Sequence, residues 1–560
     1  MHTPNTRPHP SSYFSYEVYP FERPADMDAP QGTYPVVIVG AGPAGLVLAI
    51  QLALQGVKPV LIESEAQVSG GSRAVALTRR SMEIIEQCGV APEFLGQAIV
   101  WDEGRSYYRH AVVHHLKIPF GEDDKFAPMT NLGQCWMEKI LVDRALALGV
   151  DLRFQTRLEA MAVAGDAVTL TLDTPQGEYM LRADWVVGTD GARSAVRRLQ
   201  GLRFEGESYE SRFVIADFNI ALDEPVGRRC YFEPPWLPGQ TALMHKTPKN
   251  VWRLDYQVPD DVSDEEALDD ERINSHIRAH LFYIGVDLPW SREWTTLYKP
   301  NALTLRSYNH GRVLYCGDAA HLLPVFGVRG MNTGVQDSIN LAWKLAAVVQ
   351  KKADAAILDT YSSERVADAR QICVEASRST RMVAPPTRGF RVMQQAVLSL
   401  AIDHEFARPL LHWRTSHPID YEASPLTWKD ADAFAAGPGP GAPPRNVRLA
   451  DGGYLLDAIE PAFNVLVFGD DAALWNAARD DADTARARGL RVRLIAVRAD
   501  GAKPQGADAV VADPTGHAQA LWGAEGGAVY VLRPDQHVCA RWKKGSATRV
   551  AQVLRHVGLQ

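Results

Sequence analysis

An unbroken apolar run, Val36 to Val39, is followed by a glycine-interrupted turn, an apolar stretch with helical spacing from Leu46 to Gln55, and a second apolar run from Val60 that ends at Glu63. Short apolar runs without alternation mark strands buried on both faces, so the pattern predicts a βαβ unit with parallel strands. Arg80 to Gly89 and Gln134 to Gly149 have helical spacing, and Val168 to Leu172 alternates as a half-exposed strand does. From about Phe204 to Leu305 the texture changes to Trp- and Tyr-bearing stretches such as FVIADFNIAL and VWRLDYQV, separated by Pro, Gly and Asp turns. This predicts an antiparallel sheet inserted in the α/β body. The α/β texture returns at Arg312 to Asp318 and runs into a long helix expected from Asn332 to Gln350. Pro and Gly dominate Ala435 to Asn446, which predicts a linker. Beyond it FNVLVFG, LRVRLIAV and AVYVLRPD read as strands of a small α/β domain.

Length adds that 560 residues exceed what one core holds, so two to four domains are expected. A net charge of -8 offers no basic field for nucleic acid. Six scattered cysteines, Cys88 to Cys539, lack the spacing for zinc or a redox pair, which predicts no metal and a reduced, cytoplasmic setting. The opening arm lacks the apolar core of a signal peptide. Val36 to Gln55 carries no charge and is long enough to raise a membrane span, but Gly40, Gly42, Pro43 and Gly45 break it, and no membrane partner is expected.

Three motifs carry chemistry. GAGPAG, Gly40 to Gly45, has GxGxxG spacing between a strand and a helix. Its glycines allow a tight turn, backbone approach to a pyrophosphate, and close strand-helix packing, with phosphate on the helix N-terminus. Glu63 ends the next strand, where a carboxylate can accept hydrogen bonds from both adenosine ribose hydroxyls. This motif by itself does not tell FAD from NAD. VVGTDGARSAVR, Val186 to Arg197, places Asp190 after an apolar strand, and alone it reads equally well as a strand-turn-helix with a capping Asp. In RVLYCGDAAHLLPVFGVRGMNTGVQDSINLAWKL, Arg312 to Leu345, Asp318 is placed to meet a sugar-like hydroxyl chain. Gly327, Gly330 and Gly334 admit a flat ligand, and Asn332 is expected to cap a helix whose positive end faces it.

In this order and at these separations the three motifs resemble the FAD-dependent aromatic hydroxylases, the p-hydroxybenzoate hydroxylase-like flavoprotein monooxygenases. The plan is most similar to their phenol hydroxylase and 3-(3-hydroxyphenyl)propionate hydroxylase branch. The likeness runs from about Tyr34 to Leu426, and more weakly through VYVLRPDQHV, Val529 to Val538. It implies an α/β fold: a Rossmann-like FAD-binding domain, an inserted antiparallel-sheet substrate domain and a C-terminal thioredoxin-like domain. The expected division is an arm (1–33), the FAD-binding domain (34–203 and 306–434, the latter with a helical region), the substrate sheet (204–305), a linker (435–446) and the thioredoxin-like domain (447–560). The tail lacks paired cysteines, so a stabilising or homodimer-forming role is expected of it.

The resemblance implies FAD contacts at Gly40, Gly42, Ala44, Gly45, Glu63, Arg73, Gln134, Asp190, Asp318, Gly330, Met331 and Asn332. It also implies NADH or NADPH as a transient co-substrate, O2, and hydroxylation of a phenolic or other electron-rich ring through a C4a-hydroperoxyflavin. Substrate contacts are expected from Tyr231, Trp236, His245, Arg253 and Phe326, and acid-base or catalytic roles from Arg329, His321 or Tyr256, although aromatic residues at strand spacing commonly pack a core. Two departures from the family pattern, Val325 and the pair Val328-Arg329, bear on substrate fit, and Val75 stands where phenol hydroxylase carries an active-site Asp, which implies that its substrate-deprotonating route is missing here. Two rival readings stay open: a non-hydroxylating FAD-dependent oxidoreductase and a non-catalytic FAD-binding redox sensor.

Overall fold

In the computed structural model, residues 1–324, 326–411, 418–430 and 432–558 are described, so Val325 lies outside the described residues. The first apolar run becomes strand Thr33–Val39, parallel to Gly177–Gly188 on one side and Val60–Ile62 on the other, with Val36, Val37 and Ile38 fully buried. Val313–Tyr315 and Asp151–Arg153 extend this parallel layer outward, and an antiparallel hairpin, Arg157–Ala164 with Ala167–Thr174, hangs on Gly177–Gly188. Helix Pro43–Leu54 packs between helices Gln134–Ala147 and Gly330–Val349. It is apolar all round, as a helix enclosed on every side must be. No helix among the described residues is long and apolar enough to cross a membrane.

The aromatic-rich stretch folds into a seven-stranded sheet in the order Trp290–Tyr298, Arg212–Ile220, Val251–Val258, Thr241–Lys246, Arg228–Phe232, Glu103–Tyr108, Ala111–Lys117. The last two strands come from ahead of residue 204, and Glu103–Tyr108 pairs parallel with Arg228–Phe232. The sheet is therefore neither wholly antiparallel nor confined to 204–305. A parallel pairing across more than a hundred residues leaves no local trace for a sequence pattern to carry. Successive side chains alternate between faces. Val214, Ala216, Tyr231, Trp252 and Leu254 pack toward helix Asp270–Tyr283, while Phe213, Cys230, Phe232 and Leu243 face Phe326, Met382 and Leu398.

A separate five-stranded sheet, Ala509–Ala512, Val492–Arg498, Phe463–Phe468, Ala528–Leu532 and Val538–Lys543, forms the C-terminal unit. The expected linker is not a free tether: Arg541 donates to the carbonyls of Ala436, Gly437 and Pro438 at 3.3, 3.2 and 3.1 Å. The turn after the fourth strand, Arg533 to His537, reaches into the first body. Arg533 forks onto Glu364 at 2.7 and 3.0 Å, Lys344 meets Glu364 at 2.7 Å, and Trp343 Nε1 donates to Asp535 at 3.1 Å. Arg80 also donates to the Asp535 carbonyl at 2.7 Å. Burial opposes the charge on Glu364, yet Arg533 and Lys344 outweigh it and hold the carboxyl well below its ordinary range.

Glu364→Gln leaves two buried cations short of their counter-charge and is expected to remove about 3–5 kcal/mol of stability. Glu405→Gln, which breaks an ion pair whose carboxylate is 90% exposed, serves as the control and is expected to cost under about 1 kcal/mol. Urea midpoints of the two variants check this.

Candidate active site

The glycine turn is dictated by contact. Gly40 has φ +106°, and a Cβ there would lie 2.8 Å from the Asp190 Cα. At Gly45 a Cβ would meet the Gly40 carbonyl oxygen at 2.0 Å. A Cβ at Gly42 would meet no protein atom within 4 Å, so the start of helix Pro43–Leu54 stays open to a ligand. Glu63 stands beneath the turn. Its carboxylate accepts from the amides of Ala41 at 2.7 Å and Glu65 at 3.0 Å, and burial raises its pKa.

Asp190 and Asp318 arrive from the two strands beyond. One oxygen of Asp190 caps helix Ala195–Leu199 through the amides of Ala195 and Val196 at 2.6 and 3.1 Å. Its Oδ1 is buried with no protein partner among the described residues. Asp318 sits in the turn Gly317–Ala319, beside Gly330, whose Cβ would be 4.0 Å from its Oδ1. Burial raises its pKa, countered by the nearby His321 and Arg73, although its side chain is exposed. Both hold because the residue lines a deep cleft with an open mouth. His321 is not in the cleft: its Nε2 bonds Asp337 at 2.7 Å, both side chains are fully buried, and Asp337 is also held by Arg365. Through Asp337, which also accepts the Gly317 amide, the ring braces the Asp318 turn, an arrangement that gives no support to a role as general base.

The long helix begins at Gly330 and ends at Val349, with Arg329 at the cap position, so Asn332 is not the cap. Asn332 instead accepts from Thr78 N at 2.8 Å and Ser81 Oγ at 2.7 Å and donates to Ala76 O and Val328 O at 3.0 and 3.1 Å. Its side chain is fully used in docking the helix start onto the flanking strand and helix. Val328 has φ +62°, a left-handed conformation rare for a β-branched residue. Arg329 is 2% exposed and lies 3.4 Å from Glu375. The open first turn belongs to Gly330 and Met331.

Gln134 opens its helix and receives the amide of Ala74 at 3.2 Å, while its own amide donates to Glu138 at 2.8 Å, which fixes the loop carrying Arg73. Arg253 clamps the same loop to the sheet. It pairs with Asp217 at 2.7 Å and donates to the carbonyls of Ser72 and Arg73. Arg253 thus anchors this loop, with four hydrogen bonds to Asp217, Ser72 and Arg73.

Strand parity decides the remaining candidates. Tyr231, Trp236 and Tyr256 lie on the side of helix Asp270–Tyr283, where Tyr231 meets His280 and Tyr256 meets His276 at 4.8 and 4.7 Å between ring centres. Tyr231 and Tyr256 are core residues and Trp236 packs against them, on the face away from Phe326, which gives no support to the catalytic reading of Tyr256. Phe326 touches Phe213 edge-on at 5.1 Å on the cleft side, and His245 occupies that same face. Asp255, which no motif singles out, stands beside His245. Only the register of two neighbouring strands brings them together.

The open helix start at Gly42, the unpartnered Oδ1 of Asp190 and the cleft-lining Asp318 fit a dinucleotide ending in a polyhydroxyl chain and a flat ring at Gly330. The comparisons agree. The FAD binding domain family matches residues 33–376, and the HcaD C-terminal domain family matches 443–557. A 3-(3-hydroxy-phenyl)propionate/3-hydroxycinnamic acid hydroxylase of Mycolicibacterium smegmatis is 30% identical over 91% of this chain and 90% of its own. A 6-methylpretetramide 4-monooxygenase of Streptomyces rimosus is 28% identical over 96% and 95%. The solved structure of aklavinone-11 hydroxylase with FAD and aklavinone superposes with a TM-score of 0.74 at 26% identity, over 94% of this chain and 99% of the other. With the glycine turn, both aspartates and the helix start gathered in one cleft, the chain belongs to the FAD binding domain family and, within it, to the FAD-dependent monooxygenases.

Proposed function

We propose that this monooxygenase hydroxylates a phenolic or other electron-rich aromatic compound, taking two electrons from NADH or NADPH and one oxygen atom from O2, the second oxygen leaving as water. The observation that carries the reading is the sheet face turned toward the cleft. It is apolar and aromatic around the Phe213–Phe326 contact, with a few ionisable groups set into it, a lining suited to a ring bearing a polar substituent. When bound, FAD supplies hydride acceptance and oxygen activation. The chain's part is to bind and orient. Gly40, Gly42, Ala44 and Gly45 take the pyrophosphate, Glu63 the adenosine ribose, and Arg73, Gln134 and Asp190 the loops around it. Asp318 takes the polyhydroxyl chain, and Gly330 and Met331 present the positive helix end to the ring.

The sheet order of the C-terminal unit suits a thioredoxin-like domain without redox work: Cys539 is a single buried thiol pushed up to about 12 by burial. All six cysteines are free, in keeping with a reduced cytoplasm. The N-terminal arm belongs to the cofactor site. Gln67 holds the Arg7 carbonyl at 2.9 Å, the Gly71 amide donates to Tyr16 Oη at 2.9 Å, and Ser12 Oγ reaches Glu293 at 2.6 Å. The arm thereby straps the loop between Glu63 and Arg73 to the substrate sheet.

Purified protein is expected to be yellow, and phenols from hydroxyphenylpropionates to polycyclic polyketide phenols are to be screened for faster NAD(P)H oxidation and a product heavier by one oxygen. A colourless protein sinks every flavin reading; flavin without ring oxidation favours the redox sensor. Deleting residues 1–24 is expected to weaken FAD retention about tenfold, a change of about 1.4 kcal/mol. Flavin fluorescence on dilution measures it, and unchanged retention refutes the strap.

A further inference from the structure

The geometry points to Asp255 as the proton acceptor for the hydroxyl group of the phenolic substrate, with the His245 ring beside its carboxylate. This rests on the function proposed above.

Asp255 lies between two places where the sheet touches the cofactor cleft. Two residues before it, Arg253 holds the Ser72 and Arg73 carbonyls. Two residues after it, Gln257 pairs with Phe213, which touches Phe326 ahead of the long helix. Across the sheet Asp255 pairs with Ile215 and Leu243, so the groups nearest it on either side are apolar. Its Oδ1 is buried and has no protein partner among the described residues, and His245 Nε2 stands 3.8 Å from Oδ2, beyond direct hydrogen-bond reach. The neighbouring Arg253–Asp217 pair shows what a purely structural contact on this face looks like, at 2.7 Å and almost closed to solvent. Asp255 and His245 instead keep 19% and 14% of their side-chain surface open, although burial is the largest influence on the titration of both. A deep carboxylate oxygen left unbonded beside a cofactor cleft is costly to stability and marks a site for a ligand.

The charged groups around it are Arg253 on its own strand, Asp217 and Arg228 on the strands of the sheet, and Arg73 on the loop packed against Arg253; Arg329 and Glu375 lie behind Phe326. Burial pushes the Asp255 carboxyl up, with Arg253 and Arg228 pulling it down and Asp217 pushing it up, to about 7. Burial, then Arg228 and Arg253, lower His245 to about 3, so its ring is neutral at working pH. In the step, the phenol O–H bond breaks and its proton passes to the Asp255 carboxylate. The electron pair stays on the phenolate oxygen and enriches the ring for attack. The carboxylic acid returns the proton to water after product leaves. Because the carboxylate is the active form, kcat/KM should fall as pH drops through about 7.

The test compares wild-type holoenzyme with Asp255→Asn and His245→Gln, using the phenol the wild type oxidises fastest. Asp255→Asn is expected to keep its FAD and its melting temperature, since it removes a poorly solvated charge. Its kcat/KM should fall by about 10² or more, and the acidic limb of the pH profile should disappear. The phenolate band of the bound substrate in ultraviolet difference spectra should weaken above neutral pH. His245→Gln should shift the limb with a smaller loss. Wild type that oxidises no phenol sinks the functional reading and this inference with it. Phenol hydroxylation by the wild type, matched by Asp255→Asn in kcat/KM and pH profile, overturns this inference alone. Loss of FAD or a lowered melting temperature in Asp255→Asn marks a structural carboxylate and overturns it as well.

Discussion

Three small residues meet where the two helices of the cofactor site cross. A Cβ on Gly334 would lie 3.2 Å from the Gly317 Cα and 3.5 Å from the Ala44 Cβ, and a Cβ on Gly317 would lie 3.1 Å from Ala44. Ser338 ties the crossing by donating to the carbonyls of Ala44 and Gly334 at 2.8 and 2.9 Å. At this closeness the glycine turn, the Asp318 turn and the start of the long helix open onto one cleft. A larger side chain at the crossing would push the helix start away from the turn, and the cleft would lose one wall. Behind it Asp337, held by His321 and Arg365, accepts the Gly317 amide at 3.1 Å and so keeps the turn in place.

The substrate side is built as a seam between two bodies. Arg253 crosses the seam in one direction, from sheet to cofactor loop, and Phe326 crosses it in the other, from the cofactor body to the sheet. Between these fixed points the sheet offers the ligand one face, whose apolar residues set the shape and whose few ionisable groups set the chemistry. The opposite face is used up by helix Asp270–Tyr283. The arm and the C-terminal turn act from outside on the same parts. The arm braces the loop before Arg73, and the Arg533–Asp535 turn grips the long helix two turns and more beyond its open end, at Asn340 and Trp343.

Local order was legible in the sequence. The apolar runs around Val36 and Val60, the glycine spacing at Gly40 and the position of Asp318 after its strand depend on residues close together in the chain, so the βαβ unit and the cofactor turns could be read directly. The long helix was read too, with its start misplaced by two residues, because the signal at Asn332 is that of a cap while its side chain is drawn off to Thr78 and Ser81.

What only the tertiary structure decided is which side of the substrate sheet faces the cleft. Alternation tells that a strand has two faces, but a one-residue choice of side exchanges every candidate, and that choice depends on packing against distant elements. It placed Tyr231 and Tyr256 in the core, turned Arg253 into an anchor, and set Asp255 beside His245. The sequence by itself determined the cofactor, since its contacts come from turns and helix starts written in contiguous residues. The substrate site is assembled from single residues on neighbouring strands, and register across the sheet is a property of the whole fold.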